Sequence, residues 1–257
     1  MGLGTLAAIA GLGALAGLMI GCIGIGGVVL VPVLHYAAGV PIHTAIAAAM
    51  LGYVVSGAVG TFVFGQNKTI KWDMAPRLWA GALPGALAGA LASGVAPGPI
   101  LELSIGLLTV VSGINALLNS HDQQQLETSP ANASLTGARL MAVGAVTGFG
   151  SALTGTGGPL VLIPLLLWLK QPVLIAIGLA QAIQLPIALT ASLGNWATGT
   201  LDPGLGAILG LGLAFGTWGG AVLAHRLPRA TLQSAVAVVL VGVGLLIVVK
   251  LARRMFG

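Results

Sequence analysis

A glycine-broken hydrophobic segment occurs twice in this chain. Residues 21–32 read GCIGIGGVVLVP, and residues 150–164 read GSALTGTGGPLVLIP. Each segment places a Gly-x-Gly-Gly run between two short apolar stretches and then reaches a proline. Because glycine costs about 1 kcal/mol relative to alanine inside a helix, neither run is expected to continue a regular helix. The same break at two places indicates a chain built from two related halves.

The two halves are related by a constant offset of 131 residues. Ten glycines and prolines of the first half meet a residue of the same type 131 positions later. They are Gly13, Gly17, Gly24, Gly26, Gly27, Pro41, Gly81, Gly85, Gly89 and Pro97. The pattern predicts a first repeat at 1–120, a polar linker at 121–135 and a second repeat at 136–257.

The composition places the chain in a membrane. It is 57% hydrophobic and 6% charged, whereas soluble domains carry roughly 25% charged residues. Lipid forces each spanning segment to satisfy its own backbone, so we expect an all-α polytopic membrane protein. Four hydrophobic units fall in each half: 3–40 (broken at 21–27), 42–65, 77–96 and 99–119, then 136–170 (broken at 150–159), 172–198, 204–224 and 229–250.

Each broken unit allows two arrangements, which correspond to different symmetries. An interrupted crossing gives four passes per half and parallel repeats, whereas a re-entrant hairpin gives three passes and inverted repeats. Both arrangements place seven of the ten Lys and Arg residues on the cytoplasmic side, so the positive-inside rule does not decide between them. We favour inverted repeats, because they bring the two breaks to one central site.

The breaks predict a binding site for a small anion. A new half-helix begins at about 28 and at about 159, and its first N–H groups and its dipole attract negative charge. Neutral polar side chains on 42–65, 150–159 and 172–198 add hydrogen-bonding groups; packing and interhelical hydrogen bonds are the alternative reading. The predicted substrate-binding residues are Gly24, Gly26, Gly27, Tyr53, Ser56, Ser151, Thr154, Gly155, Thr156, Gly157, Gly158, Gln181, Gln184 and Asn195.

Other classes of function find little support in the sequence. The spans contain no nucleophile–base pair and no cluster of His, Asp or Glu, so we predict no enzyme, metal or cofactor. No carboxylate lies in the middle of a span, which favours facilitated movement of an anion over proton or sodium coupling. The partners predicted are a small anion and the lipid bilayer, with no nucleic acid. Whether the chain forms a homodimer is left open. Three glycines in each half, at 81, 85 and 89 and at 212, 216 and 220, are predicted to pack helices together.

The pattern resembles the TauE/SafE sulfite exporter family. The likeness covers essentially the whole chain and is carried by GCIGIGGVVLVPVL and by GFGSALTGTGGPLVLIPLLL, which is followed by IGLAQAIQLPIALTASLGNW. Ile25 stands where the family often has a third glycine. The resemblance implies a transporter in the bacterial inner membrane that moves sulfite, sulfonates or related organosulfur anions, with a role for the glycines of both breaks.

We therefore expect a secondary transporter that exports a small sulfur-containing anion by alternating access, with the substrate held between the two breaks. A carrier for another small organic anion or for a neutral solute remains an alternative. A structural membrane subunit is the alternative from a different class, although such a subunit would not need two costly helix breaks.

Overall fold

The computed structural model describes residues 3–24, 26–118, 136–169 and 171–224, together with Gly242 and Leu245. This part of the chain contains nine α-helices and no strand. They are α1 (Leu3–Ile23), α2 (Gly27–Tyr36), α3 (Ile42–Gln66), α4 (Ala75–Val95), α5 (Gly98–Leu118), α6 (Gly137–Thr154), α7 (Pro159–Trp168), α8 (Val173–Ala197) and α9 (Pro203–Ala224). The predicted linker and, apart from Gly242 and Leu245, the predicted unit 229–250 lie outside the described residues.

The helices confirm an all-α membrane architecture. Four of the described helices, α3, α4, α8 and α9, are long and apolar enough to cross a bilayer. Their ends lie within about two residues of the predicted units, because prolines mark several boundaries. Pro41 and Pro172 precede α3 and α8, and Pro159 is the first residue of α7. Proline suits these positions, since the first turn of a helix does not need its missing N–H group.

Both short helices fold back beside the longer helix that precedes them. A Cβ atom placed on Gly26, just before α2, would meet the carbonyl oxygen of Ala16 and the backbone nitrogen of Ile20. These atoms belong to α1, so the chain has reversed within a few residues. In the second half, Gly150 of α6 lies against Val161 of α7. Each pair, α1–α2 and α6–α7, is therefore a helical hairpin.

Two glycine stripes allow the closest helix packing in the described structure. On α4 and α9, a Cβ atom at any of six glycines would collide with a backbone carbonyl of the facing helix. Gly81, Gly85 and Gly89 face Met141, Ala145 and Phe149 of α6, and Gly212, Gly216 and Gly220 face Ala10, Ala14 and Leu18 of α1. The packing role predicted for these six glycines is confirmed. Such close backbone approach is how membrane helices gain van der Waals contact without a hydrophobic driving force.

The contacts made by one stripe correspond to the contacts made by the other when residue numbers are shifted by 131. Gly81 faces Met141, and the corresponding positions, 81 + 131 = 212 and 141 − 131 = 10, are Gly212 and Ala10, which face each other. The first helix of each half therefore packs on the third unit of the other half. In both pairs the residue numbers rise together, so α1 runs parallel to α9, and α4 runs parallel to α6.

The connections then fix the direction of each helix. The end of α8 lies beside the end of α4, because a Cβ atom on Gly94 would touch the Thr198 side chain. Consequently α9, which follows α8, starts where α4 ends and runs the opposite way. Since α1 is parallel to α9 and α6 is parallel to α4, the first helices of the two halves, α1 and α6, run in opposite directions.

Charge separates the two ends of the helix bundle. A Cβ atom placed on Gly137 would lie 3.6 Å from the Arg77 side chain, and one on Gly178 would meet the Thr69 carbonyl, so the starts of α4, α6 and α8 share one end. All four described Lys and Arg residues, Lys68, Lys71, Arg77 and Arg139, belong to it, and we call it the basic end. The opposite end, where His43 Nε2 donates to the Ala96 carbonyl at 3.0 Å, is called the histidine end.

The glycine stripes make a testable prediction about stability. In Gly216→Ala, the new methyl group would overlap the Ala14 carbonyl, so α1 and α9 must separate. We expect a loss of about 1–3 kcal/mol in the free energy of unfolding, measured as a lower Tm in detergent. Gly219→Ala on the same helix is the control, because nothing lies within 4 Å of its new methyl group. Equal Tm values for the two variants would contradict the packing role.

Candidate functional site

Four of the six glycines of the two breaks adopt backbone conformations that other residues rarely reach. Gly24 has φ of +81° after α1, and Gly155, Gly157 and Gly158 have φ of +71°, +82° and +113° between α6 and α7. Glycine enters this region without a steric penalty because it has no Cβ atom. The Gly-x-Gly-Gly spacing that occurs at both breaks thus serves a chain reversal. Gly26 caps α2 with a negative φ of −98°.

The two breaks touch each other inside the protein. A Cβ atom on Gly27 would lie 2.6 Å from the Thr156 carbonyl oxygen, and one on Gly24 would lie 3.3 Å from the Pro159 side chain. Two segments that are 131 residues apart in sequence therefore form one junction. The start of α2 and the start of α7 meet at it, so the structure brings the glycines predicted for the site together.

Tyr53 of α3 joins the two breaks at this junction. It is fully buried, and its hydroxyl donates a hydrogen bond of 2.8 Å to the Gly27 carbonyl. Its ring lies so close to Gly157 that a Cβ atom there would be 3.0 Å from the ring. One side chain thus satisfies a backbone acceptor of the first break and packs on the backbone of the second.

Gln184 of α8 lies at the same junction and belongs to a chain of polar groups. Its Cα atom is 3.8 Å from the Cβ position of Gly158, and its Nε2 donates to Ser56 Oγ at 3.3 Å. Ser56 Oγ in turn lies 2.8 Å from Thr217 Oγ1 of α9. All three side chains are buried without solvent exposure, and α3, α8 and α9 meet through them.

The hydrogen bonds in this chain of polar groups can reverse their donor–acceptor direction. Gln184 Oε1 has no hydrogen-bond partner among the described residues. Hydroxyl groups rotate, and the two ends of a glutamine amide exchange by a half-turn. If Ser56 donated its proton to Gln184 Oε1, the Gln184 NH₂ group would be released to donate elsewhere. The site can therefore present either an acceptor or a donor to a bound molecule.

Gln181 has a more fixed role. Its Nε2 donates to the Ile20 carbonyl at 2.9 Å, and a carbonyl can only accept, so this amide cannot turn without losing the bond. Its own backbone carbonyl accepts from Thr61 Oγ1 at 3.1 Å. Its Oε1 lies unpaired against Gly60, where any Cβ atom would collide with it. Gln181 therefore ties α8 to the last turn of α1 and to α3.

The second break is supported from within its own segment. Thr154 Oγ1 donates to the Gly150 carbonyl at 2.6 Å and lies 3.1 Å from Thr156 Oγ1. The backbone N–H of Thr156 donates to the Ser151 carbonyl. Ser151 Oγ is buried without a hydrogen-bond partner in the described structure. These hydroxyl groups lie beside the chain reversal between α6 and α7, as the sequence predicted.

Asn195 lies at a different level from Gln184. Eleven residues along α8 correspond to about 16 Å at 1.5 Å per residue, so a small ion cannot contact both side chains. Asn195 is fully buried, and neither Oδ1 nor Nδ2 has a hydrogen-bond partner among the described residues. Ser192, one turn away, is also buried with its hydroxyl unpaired. The two residues form a separate polar patch towards the histidine end.

The starts of α2 and α7 meet at the junction, and none of the described charged side chains lies among its residues. Pro159 has no N–H group, and the N–H groups of Val29, Val161 and Leu162 donate to the capping carbonyls of Gly26 and Gly158. Each helix dipole places about half a positive charge at its start. No group of three potential metal-ligating side chains occurs in the described part of the chain. Sequence reasoning missed Thr217 and Gly60, since their contacts with Ser56 and Gln181 depend on how separate helices pack.

The close fit of Tyr53 on Gly157 predicts a specific loss of stability. Gly157→Ala adds a methyl group 3.0 Å from the ring, which must move and weaken its bond to Gly27. Gly199→Ala is the matched control, because φ at Gly199 is likewise positive, at +71° against +82° for Gly157, but nothing lies within 4 Å of its new methyl group. Both variants bear a backbone penalty of about 1–2 kcal/mol.

We expect Gly157→Ala to lose about 1–3 kcal/mol more than the control in the free energy of unfolding. Denaturant unfolding in detergent measures the difference. If the two variants unfold alike, Tyr53 does not hold the two breaks together.

Comparison with known proteins places the chain in a family. A family model described as sulfite exporter TauE/SafE matches residues 9–247. The match extends over both hairpins and over all the residues discussed at the junction. No match is found among curated proteins or among solved structures.

Proposed function

Because this chain belongs to the TauE/SafE sulfite exporter family, we propose that it is a secondary transporter that exports a small sulfur-containing anion across the bacterial inner membrane. Sulfite, a sulfonate or a similar organosulfur compound is the substrate class. The observation that carries the proposal is the contact between the two helix breaks, where Gly27 meets the Thr156 carbonyl. Tyr53 and Gln184 lie buried at the same place. A costly break is tolerated in a membrane where it lines a site.

The substrate is held at the starts of α2 and α7. The positive ends of the two helix dipoles attract oxyanions, and the rotated amide of Gln184 supplies a hydrogen-bond donor. The Ser56 and Thr217 hydroxyl groups can follow this rotation of the Gln184 amide, because each can turn its proton towards either of its hydrogen-bond partners. Neutral donors bind an anion more weakly than a Lys or Arg pair would, which allows its release on the other side.

Transport proceeds by alternating access between two inverted repeats. The halves 1–120 and 136–257, joined by the linker 121–135, each contribute one hairpin, and movement of the tightly packed α1–α9 pair against the α4–α6 pair exposes the junction to each side in turn. The opposite directions of α1 and α6 and the reciprocal glycine stripes support this symmetry. Tight glycine contacts within each pair favour movement of rigid units.

The basic end faces the cytoplasm in this proposal. Lys68, Lys71, Arg77 and Arg139 lie there, and loops rich in Lys and Arg remain on the cytoplasmic side. A negative interior then drives an anion outward, by about 2.3 kcal/mol per charge at 100 mV. The protein binds and releases its substrate without chemical change, since the junction holds polar donors and no reactive group paired with a base.

Sulfite flux in proteoliposomes tests the proposal. Membrane potential and pH gradient are set independently, and flux is compared for wild type, Gln184→Ala and Gln184→Glu. We expect flux to follow the potential, to fall at least about tenfold in Gln184→Ala, corresponding to one lost hydrogen bond to a charged group, and to fall further in Gln184→Glu, whose carboxylate repels the anion. Gln66→Ala, at the exposed end of α3, is the control and should transport normally.

The outcomes separate the alternatives. Flux of carboxylates but not of sulfite or sulfonates would replace the substrate class and leave the site standing. Sulfite flux that follows the pH gradient and not the voltage would indicate electroneutral coupling to protons, whereas flux of an uncharged solute in the absence of sulfite flux would indicate a carrier for neutral solutes. A protein that is folded, binds no small molecule and transports none of these compounds would be a structural membrane subunit, and the proposal would be wrong.

A further inference from the structure

Four buried polar side chains on α6 and α8 have no hydrogen-bond partner in the described structure. We call them the outer cluster: Thr147 and Ser151 on α6, and Ser192 and Asn195 on α8. Each is at most 8% exposed, and neither the three hydroxyl oxygens nor the two amide atoms of Asn195 have a partner. Burying such a group alone is costly, and native proteins pair nearly all of them. Four such side chains together need an explanation other than packing.

The outer cluster lies where α6 and α8 pack beside each other on α4. A Cβ atom on Gly89 of α4 would meet the Phe149 carbonyl of α6, and one on Gly194 of α8 would touch the next residue of α4. Phe149 and Gly194 therefore lie at the same height along α4. Ser151 and Asn195 follow them by two residues and by one, on helices that run in the same direction and also contact each other. The unpaired groups of the two helices thus lie at similar heights.

The three hydroxyl groups of the cluster do not bond to their own helices, although helical Ser and Thr side chains commonly do so. Other hydroxyl groups in the described helices donate to a carbonyl three or four residues earlier, namely those of Ser93, Ser104, Thr109, Thr154 and Thr190. Thr147, Ser151 and Ser192 lack this bond. Their hydroxyl groups are therefore available to a molecule that lies between the helices.

In the first half, the corresponding positions are apolar or paired. Subtracting 131 from 147, 151, 192 and 195 gives Ala16, Ile20, Thr61 and Phe64. Asn195 and Phe64 occupy equivalent places in the fold, because the carbonyl of each accepts from the N–H of a threonine five residues later, at 3.1 and 3.2 Å. Thr61 donates to the Gln181 carbonyl at 3.1 Å. The fold thus accommodates apolar or paired residues here, and packing does not require the unpaired groups of the second half.

The outer cluster offers the same kinds of group as the junction but lies apart from it. Hydroxyl and amide groups donate hydrogen bonds to an oxyanion without carrying a charge. Asn195 is about 16 Å from Gln184 along α8, so one small ion cannot contact both. Ser151 connects the two places, because its carbonyl accepts from the Thr156 N–H of the second break at 3.1 Å.

We propose that the outer cluster is a second binding position for the small oxyanion that the junction takes up. The Asn195 NH₂ group and the hydroxyl groups of Thr147, Ser151 and Ser192 donate to its oxygens. With the basic end in the cytoplasm, this position receives the anion from the junction and releases it outside. Successive weak positions suit passage, since an ion must leave as readily as it enters. The identity and direction of the anion rest on the proposed function; the binding of an anion at the cluster does not.

Removing the unpaired amide should stabilise the protein when no ligand is present. Asn195→Leu replaces a buried, unpaired polar group by an apolar group of similar shape. Without sulfite or any sulfonate, we expect the Tm in detergent to rise by about 2 °C or more. A Tm that is unchanged or lower would mean that bound water or the protein already satisfies the amide, and it would overturn the proposal.

Thiol labelling tests whether an anion occupies the cluster. Ser192→Cys in a Cys22→Ser background places one thiol there, and a small methanethiosulfonate reagent that carries a sulfonate group reports its accessibility. We expect the thiol to react, and methanesulfonate, which does not react with thiols, to slow the reaction as its concentration rises. Thr109→Cys, also buried but on α5, should stay unlabelled. No reaction at Ser192→Cys, or a rate that methanesulfonate does not change, would overturn the proposal.

Two further substitutions on α8 show which side chain holds the anion. Asn195→Leu, added to Ser192→Cys, should abolish the protection by methanesulfonate, because the NH₂ donor is lost. Thr190→Val is the matched control: its hydroxyl already donates to the Pro186 carbonyl, so its loss should leave the protection intact. Protection that persists in Asn195→Leu, or that disappears equally in Thr190→Val, would show that Asn195 does not hold the anion.

The junction variant separates this proposal from the transport assignment. In Gln184→Ala, methanesulfonate should still protect Ser192→Cys, and loss of protection would show that the cluster is not an independent position. If no anion is transported but protection that depends on Asn195 is observed, the second position stands and the proposed function fails. If sulfite flux occurs and Asn195→Leu transports and binds like wild type, the second position fails alone.

Discussion

The whole arrangement depends on satisfying backbone groups that a broken helix leaves unpaired in lipid, each of which costs several kcal/mol. At the first break, the Ile20 carbonyl accepts from the Gly24 N–H and from Gln181 Nε2 of α8, and Tyr53 of α3 donates to the Gly27 carbonyl. At the second break, the Thr156 N–H donates to the Ser151 carbonyl and Thr154 Oγ1 donates to the Gly150 carbonyl. The central helices α3 and α8 must therefore stay close to the first hairpin.

Glycine performs two unrelated tasks in the two halves, and the structure keeps them apart. At the breaks, the positive φ angles of Gly24, Gly155, Gly157 and Gly158 favour glycine because a Cβ atom would be strained. On the stripes of α4 and α9 the helices are regular, and glycine is needed only because the facing backbone is so near. The stripes fasten the first helix of each half to the opposite half. This exchange of partners makes the halves interdependent, so neither hairpin is held by its own repeat alone.

The sequence was sufficient for the local structure but not for the pairing of helices. Hydropathy and prolines such as Pro41 and Pro159 marked helix ends to within about two residues, because those signals act within one turn. Whether α2 crossed or returned could not be decided, since both arrangements distribute the charges alike; the contact of Gly26 with Ala16 reveals the return. Ser56 was predicted for the site, but its partner Thr217 was not, and the contact between His35 and Glu102 joins residues 102 − 35 = 67 positions apart.

The two hairpins also differ chemically at their far ends. His35 and Tyr36 end α2, and the Tyr36 hydroxyl donates a hydrogen bond to Glu102 Oε2 of α5. At the corresponding positions of the second half, 35 + 131 = 166 and 36 + 131 = 167, the chain has Leu166 and Leu167, which have neither charge nor hydroxyl. The first hairpin is thus fastened to α5 by polar groups that the second hairpin lacks, so the two hairpins are not interchangeable parts of the molecule.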